Sequence, residues 1–130
     1  MYIPKGFGTM FPYVFASQAD KYIEFLKKAF DAVEVGRTTA PSGTVANSRM
    51  RIGTTTFMVS EASEQMKPTK GTFYLYVEDA DAACKKAVSS GAEKMFDPTD
   101  MPYRDRQCGV IDPAGNIWWV SQRLVQEPYD

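Results

Sequence analysis

The chain has 130 residues, 44% of them hydrophobic and 24% charged, with a formal net charge of −1. That is an ordinary globular domain's worth of chain, with no broad basic field for nucleic acid or an acidic membrane surface. There is no histidine, which removes the commonest metal ligand and the usual general base.

No apolar run approaches the ~18 residues that span a bilayer, and the opening Met1-Tyr2-Ile3-Pro4-Lys5-Gly6 lacks the charged and apolar regions of a signal peptide. The cytoplasm is therefore the expected location, with no membrane partner.

A first strand is expected over Met10–Phe15. A helix follows, starting near Ser17 or Asp20, where Ser17-x-x-Asp20 reads as a short-acid capping box, and ending at Asp31-Ala32. Strands are then expected at Val33–Thr39, Val45–Ile52 and Thr55–Ser60, with a turn at Gly53-Thr54. Ser63–Lys70, with Pro68, reads as a linker. Phe73–Val77 is the next strand, and a second helix begins after Glu78-Asp79, with Asp79 as N-cap and Gly91 just past its end. Strands at Glu93–Phe96, Gln107–Ile111 and Ile117–Gln122 complete the chain, with Asp97–Asp105 read as a loop long enough to cover a cleft.

The order repeats. Tyr22, Phe25, Leu26, Ala29 and Phe30 form one apolar helical stripe, and Ala80, Ala83, Cys84, Ala87 and Val88 form the same stripe 58 residues later. The chain reads as an α+β fold of two βαβββ modules: one domain over 1–130, with modules at about 8–62 and 71–125 and a linker at about 63–70. Two facing copies are expected to enclose a cleft.

Side chains alternate across a strand, so each strand divides into two faces. One face reads Met10, Pro12, Val14, Phe57, Val59, Phe73, Leu75, Val77, Trp118 and Val120, and suits the core. The other reads Phe11, Tyr13, Phe15, Thr56, Met58, Ser60, Thr72, Tyr74, Tyr76, Ile117, Trp119 and Ser121. Rings mixed with hydroxyls suit a cavity wall that meets water or a ligand. Two cysteines make no disulfide framework. Cys84 is expected to pack, and Cys108 beside Gly109 keeps an unassigned role. The pairs Arg49/Arg51 and Arg104/Arg106 read as solvated or ion-paired faces.

The two βαβββ units, the helix pattern Ile23-x-Phe25-x-x-x-Ala29-Phe30 and Asp112-Pro113-x-Gly115-Asn116 before an apolar strand resemble the vicinal oxygen chelate superfamily. That group includes glyoxalase I, fosfomycin and bleomycin resistance proteins and extradiol dioxygenases. Met10–Phe15 and Arg104–Trp118 look closer still to its PhnB-like subgroup. The resemblance implies a cupped mixed sheet in which enzymes hold a divalent metal through His, Gln or Glu on the first and last strands of each unit. Here those positions fall near Phe11, Met58, Thr72 and Trp119, none a usual ligand, so no metal and no cofactor is expected.

The expected function is that of the bleomycin resistance type: a homodimer that sequesters an aromatic or planar small molecule. Its ligand-binding residues would be Phe11, Tyr13, Phe15, Met58, Thr72, Tyr74, Trp119 and, as a lid, Tyr103. No catalytic residue is assigned. The alternatives are a metal-dependent lyase, isomerase or dioxygenase with unorthodox ligands, and a non-catalytic structural dimer.

Overall fold

A computed structural model describes all residues, 1–130. They form two compact units, Met1–Thr69 and Lys70–Asp130. The first holds β1 (Tyr13–Ala16), α1 (Ala19–Phe30), β2 (Val33–Thr39), β3 (Val45–Ile52) and β4 (Thr55–Glu61). The second holds β5 (Thr72–Tyr76), α2 (Ala80–Ser89), β6 (Glu93–Asp100), β7 (Asp105–Ile111) and β8 (Ile117–Arg123). The sheet orders are β1-β4-β3-β2 and β5-β8-β7-β6, each with one parallel pair between the first and last strands of its unit. This is the α+β, twice-βαβββ architecture that the periodicity predicts.

The repeat distance differs from expectation. Tyr13 stands beside Met58 in one sheet and Tyr74 beside Trp119 in the other, an offset of 61 rather than 58. The helices agree, because α1 starts at Ala19 and α2 at Ala80. Three residues are close to one helical turn, so a stripe slipped by three still looks like itself. In the true register the fully buried Ile23 and Leu26 correspond to Cys84 and Ala87. Burying side chains of the first kind is worth roughly 1.5–3 kcal/mol each.

Each helix is capped from the far end of its own module. Gln18, the residue before α1, is left-handed (φ 56°) and its side chain makes no cap, so the Ser17-x-x-Asp20 box does not form. Instead the Glu61 carboxylate, at the end of β4, accepts the N–H groups of Gln18 (3.0 Å) and Ala19 (2.9 Å). Gln122, in β8, accepts the N–H of Ala80 (3.0 Å) in the same way. Asp79 caps α2 as expected, accepting from the N–H of Ala82 (3.1 Å).

Three further expectations are corrected. Met10 is 90% exposed rather than core: ladder pairing begins only where Met58 N–H meets the Pro12 carbonyl (3.1 Å), so Met10 and Phe11 precede β1. Asp97–Asp105 is not a long loop, because β6 runs on to Asp100. Pro98 is tolerated there since β6 is an edge strand whose register shifts between Phe96 and Thr99. Cys84 and Cys108 are bonded to each other, tying α2 to β7; the helix stripe and the core face of the strand meet at that point. The Ser63–Lys70 segment is partly bound, since Thr69 exchanges hydrogen bonds with both backbone groups of Phe15, along the edge of β1.

The Asp112–Asn116 turn anchors the second unit. One Asp112 oxygen accepts from the N–H groups of Ala114 and Asn116 (both 2.9 Å), and the other accepts the Trp118 indole N–H (2.8 Å). Gly115 supplies the positive φ of 92°, and the Asn116 side chain accepts the N–H of Gly71 at the start of β5 (2.8 Å). The turn therefore fixes β8 and β5 together.

Candidate functional site

Each helix covers one face of its sheet, and the opposite face carries the rings and hydroxyls that strand parity groups together. Strand register sets corresponding rows on these two faces. In the first unit a row reads Tyr13, Met58, Arg49, Gly36 across β1-β4-β3-β2. In the second it reads Tyr74, Trp119, Gly109, Phe96 across β5-β8-β7-β6. The glycine has changed places. In the first unit the Arg49 guanidinium lies over β2, 2.8 Å from where a Cβ on Gly36 would stand. In the second the Phe96 ring lies back over β7, 2.6 Å from where a Cβ on Gly109 would stand. It meets Trp119 there at 5.8 Å between ring centres. One row thus ends in a cation and the other in a pair of rings.

In the first unit the structure brings Tyr13, Phe15 and Met58 together. The rings of Tyr13 and Phe15 stack at 4.5 Å. The Tyr13 hydroxyl shares a hydrogen bond with Ser60 (3.0 Å), whose own proton goes to the Ala46 carbonyl (2.8 Å). The Asn47 amide donates to Tyr13 (3.3 Å) and toward the Met58 sulfur (3.5 Å). Arg49 donates to Thr38 and to the Asn47 side chain (both 3.1 Å) and has no carboxylate partner. Phe11 stands apart from this group, packed on Phe7 at 5.3 Å. The hydroxyls of Thr56 and Ser60 are buried and satisfied rather than lining an open wall; Thr56 donates to the Gly6 carbonyl (2.8 Å).

The second unit holds a larger polar cluster centred on Asp105, whose side chain is 0% exposed. One carboxylate oxygen accepts the phenol hydroxyls of Tyr74 and of Tyr129 (2.5 Å for the latter), and the other accepts Arg123 (3.1 Å). Burial pushes the Asp105 carboxyl up, but these hydrogen bonds outweigh it and hold its pKa below the usual value. The same contacts act in reverse on the phenols: partial burial and the carboxylate raise the pKa of both Tyr74 and Tyr129. Gln107, fully buried, donates to Tyr74 (2.9 Å) and Ser121 (2.6 Å) and accepts the Tyr103 hydroxyl. Tyr103 sits in the turn after β6, bound to this cluster. Thr72 lies at the exposed start of β5, opposite Ile117, away from it.

Asp105, Gln107, Arg123 and Tyr129 were not singled out by the sequence. Parity alone places Gln107 on this face beside Ser121, but nothing local marks Asp105 as buried or brings residue 129 to residue 105.

The positions that the resemblance assigns to a metal do not fit one. A phenyl ring, a thioether, a hydroxyl and an indole stand at Phe11, Met58, Thr72 and Trp119, and hard divalent cations require carboxylate, carbonyl or imidazole donors. Glu61 and Gln122 are turned to the helix N-termini. Nowhere are three or more His, Cys, Asp or Glu placed to hold an ion. No helix is long and apolar enough to cross a membrane.

Comparison with known proteins gives a consistent result. The family model described as Glyoxalase/Bleomycin resistance protein/Dioxygenase superfamily matches residues 9–120. An uncharacterized protein of Mycobacterium bovis is 33% identical over 122 residues, covering 85% of this chain and 80% of that one. TioX from Micromonospora sp. ML1 shares the fold with a TM-score of 0.77 at 22% identity, covering 90% of this chain and 99% of that one. TnmS3, an antibiotic binding protein from Streptomyces sp. CB03234, does so with a TM-score of 0.71 at 20% identity, covering 95% and 98%.

Proposed function

Because the chain belongs to the Glyoxalase/Bleomycin resistance protein/Dioxygenase superfamily, we propose that it is a binding protein that takes an aromatic or planar small molecule without a metal. The observation that carries this reading is the row Tyr74, Trp119, Gly109, Phe96, which sets the Trp119 ring, at a position the resemblance gives to a metal ligand, between the rings of Tyr74 and Phe96. Aromatic pairs contribute roughly 0.5–1.5 kcal/mol each beyond the area they bury. Three or four of them, with hydroxyl hydrogen bonds, support micromolar affinity, about −8 kcal/mol, after the costs of association. That a protein of the same fold, TnmS3, is an antibiotic binding protein supports a small-molecule ligand.

Titration of the intrinsic tryptophan fluorescence with planar antibiotics and metabolites tests the proposal. Trp118 is buried and hydrogen-bonded in the core, so the response should come from Trp119 and vanish in Trp119→Ala. A ligand whose affinity ignores that change binds elsewhere. Elemental analysis of protein purified without chelator tests the metal-free part: stoichiometric Ni, Zn, Mn or Fe would overturn it.

Within the superfamily we place the chain in the PhnB-like subgroup, on Met10–Phe15 and Arg104–Trp118, and propose a homodimer as the working form, to be checked by sedimentation. We propose the cytoplasm as its compartment. Reducing conditions there would keep Cys84 and Cys108 as thiols, so a thiol count on protein trapped in intact cells checks that location.

A further inference from the structure

The sheet face of the second unit already holds a phenol, and the phenol is its own. Residues 124–130 follow β8 and return across this face. Arg123 holds them there, donating to the carbonyls of Glu127 (2.6 and 3.2 Å) and Pro128 (3.2 Å). The Tyr129 ring then lies beneath the Arg123 guanidinium, 4.2 Å from ring centre to carbon, with the Tyr103 ring 6.4 Å away. Its hydroxyl reaches Asp105 and Tyr76, both at 2.5 Å.

Each contact is one that a separate phenolic molecule could make: a carboxylate acceptor for the hydroxyl, a cation over the ring, and rings beside it. The acceptor is buried and charged, so leaving it without that donor is costly. Tyr129 itself is 46% exposed and carries no core packing. We infer that this face is a site for neutral planar phenols, and that Tyr129 is a tethered occupant which an incoming phenol replaces on Asp105. This rests on the reading of the face as a ligand site.

The chemistry sets the selectivity. Asp105 is an acceptor, and Tyr74 already donates to it, so the open place takes a donor. A ring hydroxyl fits, its methyl ether does not, and a carboxylate or phenolate is repelled. The raised pKa of Tyr129 is the same preference seen from the occupant: the site favours the phenol over the phenolate. A tethered occupant competes at the effective concentration of its short tether, of order millimolar, so removing it should tighten binding of a free phenol by the fraction of time it blocks the site.

The experiment uses 2-naphthol and 2-methoxynaphthalene as probes, read by Trp119 fluorescence in the 130-residue protein. The expected result is that 2-naphthol binds at least fivefold more tightly than the ether. Tyr129→Ala should tighten the naphthol about tenfold, while the ether changes less than twofold. Tyr129→Phe, which keeps the ring and loses the hydroxyl, should fall between. If both probes bind equally and Tyr129→Ala changes neither, the face binds planar molecules but the phenol site is wrong. If neither they nor any planar compound binds, the ligand-site reading fails and the inference falls with it. Asp105→Asn is a second check where it folds: it should remove the preference for the hydroxyl.

Discussion

The Phe96 ring occupies the space that a side chain on Gly109 would need, its edge carbon 2.6 Å from the position of a Cβ. Gly109→Ala must push that ring off Trp119, and overpacking of this kind costs about 1–3 kcal/mol. The equivalent change in the other unit, Gly36→Ala, meets only the end of the Arg49 side chain, which swings into solvent. It should cost less than about 0.5 kcal/mol. Urea midpoints of the two variants should separate accordingly, with a shifted tryptophan emission only in Gly109→Ala. Equal effects would show that the two rows are not built as described.

Acid should weaken the protein through Asp105. Its native pKa lies below the reference value of 3.8, so the unfolded chain takes up the proton first. The stability this group provides is complete above the unfolded value and is lost as pH falls from about 4 through the native one. Asp105→Asn leaves Arg123 without its carboxylate and should cost about 2–4 kcal/mol at neutral pH. It should also flatten the stability curve below pH ~4. A variant whose acid limb matched that of the parent protein would contradict the assignment.

Glu61→Ala leaves the N–H groups of Gln18 and Ala19 without an acceptor and is expected to cost about 1–2 kcal/mol. Gln122→Ala frees one such group and should cost about half as much, while Ser17→Ala should be neutral within ~0.5 kcal/mol. Denaturant unfolding checks the order. A large effect of Ser17→Ala would mean that the local capping box forms after all.

The Cys84–Cys108 bond closes a sequence separation of 24 residues, and a loop of that length is worth about 3.5 kcal/mol by the chain-entropy account. Reductant should therefore lower the urea midpoint of the parent protein and leave Cys84→Ala/Cys108→Ala unchanged. A midpoint indifferent to reductant would refute the bond's contribution.

Most of the fold was legible because its signals are local. Helical stripes, strand alternation, the Asp79 cap and the Asp112–Asn116 turn each lie within a few residues of chain. What the sequence hid was carried by partners far away in it. Ser17 looked like a cap because Glu61 was out of view. Pro98 looked like a loop residue because its edge position was unknown, and each cysteine looked solitary until α2 lay on β7. The site divides the same way. Tyr13, Tyr74 and Trp119 follow from parity, whereas the meeting of Asp105 with Tyr129 depends on a segment with no periodicity at all. Where a ring extends over a missing side chain, as Phe96 does over Gly109, only cross-strand register reveals it.

The long-range caps also bear on how each module assembles. The first turn of α1 is completed by an acceptor 42 residues further on, and that of α2 by one equally distant. Neither helix can finish its beginning until the last strand of its module has arrived. The first turn of each helix is thus held by tertiary contact rather than by its own sequence. A fragment ending before Glu61 should leave α1 frayed at its start, however well its remaining turns are formed.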